Sequence, residues 1–251
     1  MTDTPDFLRP LVVATPERAA LRVGHVDLYL PDGDGPRPAV VFVHGGPLPA
    51  DMVPLPRDWP VYRGYGSLLA SLGVVAATVD HRLRVVAGPD GAVVDYPTAA
   101  EDVASAVAAV RADPRVDADR VVLWFFSGGG LLSAEWLRER PAWLRGVALT
   151  YPLLAPMPEW GAVDGRFLPA EAVGEPGAPV PPVVVTRVGL EREALAERVE
   201  SFLVAAGKAG VAVEVVDVPN GRHAFDAVDD TDESREAVRR VVARVLELLA
   251  V

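Results

Sequence analysis

The sequence predicts an α/β fold: one domain over residues 1–251, with a mostly parallel central sheet of about eight strands and helices on both faces. Short runs rich in valine alternate with longer segments whose apolar residues recur at helical spacing. Several of the short runs are apolar nearly throughout, as expected for strands that are buried on both faces. These runs are Val26 to Leu30, Val40 to Val43, Val74 to Val79, Val121 to Phe126, Gly146 to Thr150, Val183 to Thr186 and Val211 to Val216.

Three segments carry the helical pattern most clearly. Thr98 and Glu101 have the spacing of a capping box, and apolar residues follow them on one helical face as far as Pro114. Residues 190–206 place an apolar stripe on a second helix, which ends at Gly207, and residues 233–250 form the last helix. These periodicities predict packing against a sheet and carry no functional information.

Two segments interrupt the alternation. Five prolines lie between Pro47 and Pro60, and eight lie in residues 152–182, among several large apolar side chains. Helices and central strands do not tolerate proline at this density. Both segments follow predicted strands, at the edge where ligands bind in open α/β sheets. We therefore expect residues 152–182 to form a cap or insert loop, and residues 1–24 to form an N-terminal extension.

Composition excludes several classes of function. The chain has 24 Lys and Arg against 35 Asp and Glu, a net charge of −11, which disfavours binding to nucleic acid or to an anionic membrane surface. It has no cysteine, which excludes thiolate catalysis, disulfides and cysteine-based metal sites. Residues 1–10 lack the pattern of a signal peptide, and no apolar run approaches the roughly 20 residues of a membrane span. We expect a cytoplasmic protein.

The most informative motif is Phe125-Phe126-Ser127-Gly128-Gly129, which joins a buried strand to a predicted helix. A nucleophilic serine on such a turn is strained and needs small neighbours. The N–H of Gly128 would then form half of an oxyanion hole. A glycine-rich turn with a serine helix cap would give the same sequence.

Two further motifs occur in the order expected for a serine nucleophile. His44, Gly45 and Gly46 follow the strand that ends at Val43, and glycines there allow backbone N–H groups to face an oxyanion. His223 lies in a turn between the last predicted strand and the final helix, from which it can reach Ser127.

With these three motifs, the chain from about Val26 to its end resembles the α/β-hydrolases, specifically their dienelactone hydrolase-like and small serine esterase branches. The resemblance implies a Ser-His-acid triad, a covalent acyl-enzyme and no cofactor. Dienelactone hydrolases proper use a cysteine nucleophile, so Ser127 would take that role in a chain without cysteine.

The acid of this triad is expected on the loop after the strand that ends at Thr186. Glu191 is the best candidate on that loop, 32 residues before His223, while Asp226 and Asp217 remain alternatives. Glu191 and Glu193 would equally suit the first turn of a helix.

The motif also departs from the family pattern Gly-x-Ser-x-Gly, because Phe125 replaces the first glycine. A large side chain there could widen the turn and displace the Ser127 hydroxyl. This leaves two functions open: a serine hydrolase for a carboxylic ester, thioester or lactone with a hydrophobic acyl or aryl group, or a hydrolase-fold binding protein that has lost turnover. A small peptidase or acyltransferase is a further alternative.

We expect a small-molecule substrate, no metal, and no nucleic acid or membrane partner; the sequence leaves open whether the chain forms a homodimer. His44 is expected to shape the oxyanion loop, and His25 and His81 lack the spacing of metal ligands. Asp80 and Arg82 lie at the same strand edge, where a structural ion pair is the main expectation. The expected substrate-binding residues come from the two proline-rich segments and the strand before Ser127: Pro47, Trp59, Phe126, Leu153 and Trp160.

Overall fold

In the computed structural model, which describes residues 4–88, 91–160 and 163–250, the chain folds around one eight-stranded sheet. The strands in chain order are β1 (Leu21–Val23), β2 (Val26–Tyr29), β3 (Arg37–Val43), β4 (Val75–Val79), β5 (Val85–Gly88), β6 (Gly91–Val94), β7 (Val116–Phe126), β8 (Leu144–Thr150), β9 (Val183–Val188) and β10 (Val213–Val218). The sheet has the order β1-β2-β4-β3-β7-β8-β9-β10, while β5 and β6 form a separate hairpin. The predicted fold class is confirmed.

The sheet is antiparallel only at its first edge. Strand β1 pairs antiparallel with β2, and β2 pairs antiparallel with β4. Every later pair, from β4 with β3 to β9 with β10, is parallel. Because parallel strands end at the same edge, the loops that follow β3, β7, β8, β9 and β10 lie close together there.

Helices cover both faces of the sheet. They are α1 (Pro60–Ser71), α2 (Tyr96–Ala112), α3 (Ser133–Glu139), α4 (Pro169–Ala172), α5 (Glu193–Lys208), α6 (Phe225–Val228) and α7 (Asp232–Ala250). Apolar residues of α1 and α7 pack against one face, and those of α2, α3 and α5 pack against the other. Strand β7 supplies both cores: Phe125 faces the α2 side and Phe126 faces the α1 side. No helix of the described ranges is long and apolar enough to cross a membrane.

The structure corrects two local expectations. The capping box of Thr98 and Glu101 is wrong: α2 begins earlier, and the Asp95 carboxylate accepts the hydrogen bond from the Thr98 N–H at 3.0 Å. Pro97 is accommodated because the first turn of a helix needs no N–H from it. The last strand covers residues 213–218 rather than 211–216, since Val211 instead closes the end of α5.

The two segments expected to lie outside the core contribute to it. In the N-terminal extension, strand β1 joins the sheet, and Leu11 and Val13 are buried. In the expected cap segment, Leu153 and Phe167 are fully buried, although most of the described backbone is irregular.

Candidate active site

Ser127 directly follows the central strand β7 and is the first residue of a 3-10 helix (Ser127–Leu132). Its φ of 48° is in the left-handed region, which costs a residue with a side chain about 1–2 kcal/mol. The turn passes so close to the loop after β3 that a Cβ on Gly128 would lie 1.9 Å from the Gly46 carbonyl oxygen. The strand-turn-helix geometry therefore requires glycine after Ser127 and projects the hydroxyl at the sheet edge.

His223 and Glu191 complete a hydrogen-bonded chain with this serine. Ser127 Oγ lies 2.8 Å from His223 Nε2, and His223 Nδ1 forms a short hydrogen bond with Glu191 Oε2. Glu191 is nearly buried, whereas His223 is about a third exposed. The second carboxylate oxygen of Glu191 accepts the Arg192 N–H at 2.9 Å. The loops after β7, β9 and β10 thus bring together the three residues that the sequence places in the candidate triad.

The Glu191 carboxylate is stabilised in its charged form. Burial alone would raise its pKa, but the hydrogen bond and charge of His223 and the N–H of Arg192 outweigh it, so the pKa lies below the ordinary value. An ionised carboxylate on Nδ1 selects the tautomer that leaves Nε2 free to accept the serine proton.

The alternative acids have other partners. Asp217 is exposed and accepts a hydrogen bond from Arg187 at 2.7 Å. Asp226 is fully buried, where it accepts hydrogen bonds from the hydroxyls of Tyr65 and Tyr151. Of the three candidates, only Glu191 forms a hydrogen bond with His223 within the described chain.

The loop after β3 lies against Ser127. A Cβ on Gly45 would be 2.9 Å from Ser127 Cβ, so this position requires glycine for the two loops to meet. Gly45, Gly46 and Gly128 therefore lie around the serine, where the sequence predicts the oxyanion hole.

Two stacked histidines support this loop. The rings of His44 and His81 are 3.6 Å apart and nearly parallel, and His81 Nε2 lies 3.0 Å from the His44 carbonyl oxygen. Burial lowers both pKa values, that of His81 to about 4. Two neutral rings can stack without charge repulsion, and His44 Nδ1 lies 2.6 Å from the Gly45 carbonyl oxygen.

Phe125 packs on the face of the sheet opposite to Tyr65 and Tyr151. It is fully buried in the core that contains α2, and its neighbours across the strands are Val43 and Leu149. The hydrogen bond between Ser127 and His223 keeps an ordinary length beside it.

The expected substrate-binding residues occupy different environments. Phe126 is fully buried among aromatic rings, including that of Tyr62, and Leu153 is buried with its N–H on the Ser127 carbonyl oxygen at 2.9 Å. Their positions support a structural role. Pro47, Trp59 and Trp160 are each partly exposed.

Several residues near the site have no signal in the sequence. The Tyr96 hydroxyl donates to the Gly128 carbonyl oxygen at 3.0 Å, which ties α2 to the serine turn. Tyr151 and Ala224 have φ values of 37° and 62°, and Tyr151 packs its ring on that of His223. Strained backbone thus recurs on three of the loops around the site, as is common where function requires a fixed geometry.

The other charged candidates form ion pairs. Arg82 binds Asp102, and Asp80 pairs with Arg57 at 2.7 Å. Within residues 4–88, 91–160 and 163–250, no group of histidines and carboxylates has the arrangement of a metal site.

Comparisons with known proteins agree with this architecture. No protein-family model and no curated protein sequence matches the chain. Among solved structures, the thermophilic esterase Est2 of Thermogutta terrifontis matches with a TM-score of 0.69 at 20% identity, over 96% of this chain and 94% of that chain. The carboxylesterase EstE1, cloned from a metagenomic library, matches with a TM-score of 0.71 at 21% identity, over 95% of this chain and 92% of that chain.

A third match is dipeptidyl peptidase 4 of Porphyromonas gingivalis, with a TM-score of 0.68 at 15% identity over 88% of this chain and 33% of that chain. At these identities, the matches show a shared fold, the α/β-hydrolase fold, and function has to be argued from the site.

Proposed function

We propose that the chain is a serine hydrolase that cleaves a carboxylic ester, thioester or lactone through a Ser-His-acid triad. The observation that carries this proposal is the continuous hydrogen-bonded chain from Ser127 through His223 to Glu191. The esterase structures named above are similar over nearly the whole length of both chains, which supports the same class of reaction.

In this mechanism, Ser127 Oγ attacks the carbonyl carbon while His223 Nε2 accepts the hydroxyl proton. The carbonyl oxygen becomes an oxyanion, held by the N–H of Gly128 and that of Gly45 or Gly46. As the intermediate collapses, the imidazolium returns the proton to the leaving alcohol, thiol or ring oxygen. Water then gives a proton to the same nitrogen and adds to the acyl carbon. The bond from that carbon to Ser127 Oγ breaks, the imidazolium returns the proton to Oγ, and the acid is released.

Glu191 supports both halves of this cycle. Its charge stabilises the imidazolium and its hydrogen bond to Nδ1 keeps the ring oriented. A serine in place of the cysteine of dienelactone hydrolases proper supports a reaction of the serine esterase type.

The substrate is proposed to carry a hydrophobic acyl or aryl group. The loop after β3 presents apolar side chains at the surface, with Val53 81% and Leu55 40% exposed. The same loop begins at Gly45, which lies against Ser127, and exposed apolar side chains on such a loop favour an apolar substrate.

The test is intact-mass analysis after incubation with a fluorophosphonate at about pH 8. We expect one adduct, mapped to Ser127, that is absent in Ser127→Ala and forms slowly in His223→Ala. Ser71→Ala, which removes an exposed serine of α1, is the matched control and should be labelled at the wild-type rate.

A folded wild-type protein that takes no adduct, or an adduct that persists in Ser127→Ala, would exclude the proposed nucleophile. The substrate class is tested separately with aryl esters of increasing acyl length and one ester of a dicarboxylic acid. A preference for the charged acid would contradict the proposed apolar acyl group.

A further inference from the structure

The buried carboxylate of Asp226 lies close to the imidazole of the candidate triad, with Tyr151 in contact with both, and the proposed mechanism does not use it. Asp226, three residues after His223, is fully buried at the start of α6. Its Oδ2 accepts the Tyr65 hydroxyl at 2.9 Å and the Tyr151 hydroxyl at 3.2 Å. Among the described residues, no cation pairs with this carboxylate, and its Oδ1 has no hydrogen bond to another residue.

Tyr151 connects this carboxylate to the site. Its ring lies between the two groups: the hydroxyl is bound to Asp226, and the ring centroid is 4.8 Å from that of His223. The Tyr151 N–H is held by the Thr186 carbonyl oxygen at 3.0 Å, and its φ of 37° is in the left-handed region. Because both its backbone N–H and its hydroxyl are hydrogen-bonded, the Tyr151 ring is held in place and restricts the movement of the imidazole that packs on it.

A structural role alone would not need a charge here. An asparagine would accept the same two hydroxyl hydrogen bonds without the unfavourable burial of an unpaired carboxylate. The tyrosine hydroxyls stabilise the charged form only in part, because burial still raises the pKa of Asp226 to about 6. Near neutral pH the group is therefore an anion close to the imidazole.

We propose that Asp226 is a positioning residue for His223. Through Tyr151 it holds the imidazole in line with its hydrogen-bond partners, and its charge favours the imidazolium that forms when the serine is deprotonated. The catalytic part of this inference rests on the proposed function, whereas the electrostatic part concerns the histidine itself.

The coupling is mutual, because the charge of His223 also lowers the pKa of Asp226. The other titratable groups that face Asp226 are Tyr62 and Tyr65 of α1 and Tyr151 after β8, all of which burial keeps protonated by raising their pKa values. His223 also faces Glu191, with Arg192 beyond it, while Arg222 of the same loop is paired with Asp229. Asp226 is therefore a second buried carboxylate whose charge acts on His223, besides that of Glu191.

The experiment follows the His223 ring by NMR during a pH titration of the wild type, Asp226→Asn and Tyr151→Phe. His223→Ala identifies the signal, and exposed His25 is an internal control in every spectrum. We expect the midpoint of His223 to move to lower pH by about one pH unit in Asp226→Asn, with that of His25 unchanged. Tyr151→Phe keeps the ring but unties it from the carboxylate, and should give a change of the same sign.

Fluorophosphonate labelling of the same variants provides the second readout. Asp226→Asn should be labelled about tenfold more slowly than the wild type. A double variant that combines Asp226→Asn with Tyr151→Phe should be labelled no more slowly than Asp226→Asn alone, because both residues act through one contact. Asp217→Asn, on an exposed carboxylate of β10, should match the wild type.

An unchanged His223 midpoint in both variants would overturn the inference. So would a slower labelling that adds fully in the double variant, since that pattern indicates two independent structural defects. If the wild type takes no label but the midpoint of His223 moves as expected, the proposed hydrolase function fails while the positioning of His223 by Asp226 stands.

Discussion

Replacing the buried Asp226 with asparagine is expected to change how the stability of the fold depends on pH. Burial raises the pKa of Asp226 from 3.8 to about 6 in the folded chain. Below pH 3.8 the group is protonated in both states and contributes no difference. As the pH rises from there to 6, the unfolded chain releases the proton while the folded chain retains it, so the free energy of unfolding falls.

The magnitude follows from the two pKa values. One pKa unit corresponds to about 1.4 kcal/mol, so the wild type loses about 3 kcal/mol across this interval. About half of that loss, roughly 1.5 kcal/mol, falls between pH 5 and pH 8. The asparagine variant has no proton to release at this position and does not lose this stability. Its free energy of unfolding relative to that of the wild type should therefore rise by roughly 1.5 kcal/mol from pH 5 to pH 8.

Urea unfolding at pH 5 and pH 8 measures this difference. With a slope of about 2–3 kcal/mol per molar urea, the urea midpoint of the variant minus that of the wild type should be about 0.5 M larger at pH 8 than at pH 5. Asp32→Asn is the control, because the Arg18 hydrogen bond lowers the pKa of Asp32 below 3.8. Asp32 is therefore ionised in both the folded and the unfolded chain from pH 5 to pH 8, and the midpoint of this variant should change with pH in parallel with that of the wild type.

Midpoints of the wild type and Asp226→Asn that change in parallel from pH 5 to pH 8 would refute the reasoning. Asp226 would then not retain its proton on folding, and its carboxylate would not be the costly buried charge on which the electrostatic argument depends.

Two further predictions concern the serine turn. Phe125→Gly should restore the family pattern at that position yet lower the free energy of unfolding by about 4 kcal/mol, because it empties a fully buried site of the central strand. Chemical unfolding measures this loss, and a variant that is as stable as the wild type and is labelled faster by the fluorophosphonate would show instead that Phe125 constrains the turn. Ser127→Gly should be more stable than Ser127→Ala by about 0.5–1 kcal/mol, since glycine adopts a φ of 48° without strain and alanine does not. Equal thermal unfolding temperatures of the two variants would argue against backbone strain at this residue.

The strands that the sequence predicts correctly are those buried on both faces. Continuous apolar runs such as Val121 to Phe126 leave no polar face, and β7 has that environment between two helical layers. The hairpin of β5 and β6 lacks this signal because it lies apart from the sheet with Val85 and Val86 exposed. Strand β1 is only three residues long, too short for any periodicity to appear.

The same contrast holds at the site. Ser127, His223 and Glu191 can be proposed from the sequence because each follows a buried strand and the three occur in a recognisable order. The tyrosines around Asp226 cannot, since Tyr65 and Tyr151 reach it across 161 and 75 residues and leave no local motif. Phe126 shows a different limit. An aromatic residue beside the candidate nucleophile suggests a substrate contact, but successive side chains of a strand point to opposite faces of the sheet, and that of Phe126 points into the core.

The long sequence separations around the site have a consequence for how the protein is made. Ser127 meets His223 across 96 residues, and Val12 donates its N–H to the Asp226 carbonyl oxygen at 2.8 Å, which joins the N-terminal segment to the start of α6. Contacts of this kind close late, because a large loop entropy must be overcome before they form. During synthesis, the central strands can assemble while the histidine loop is still within the ribosome. The nascent chain is therefore expected to assemble its central strands first and to bring Ser127 and His223 into contact only after residue 226 has emerged.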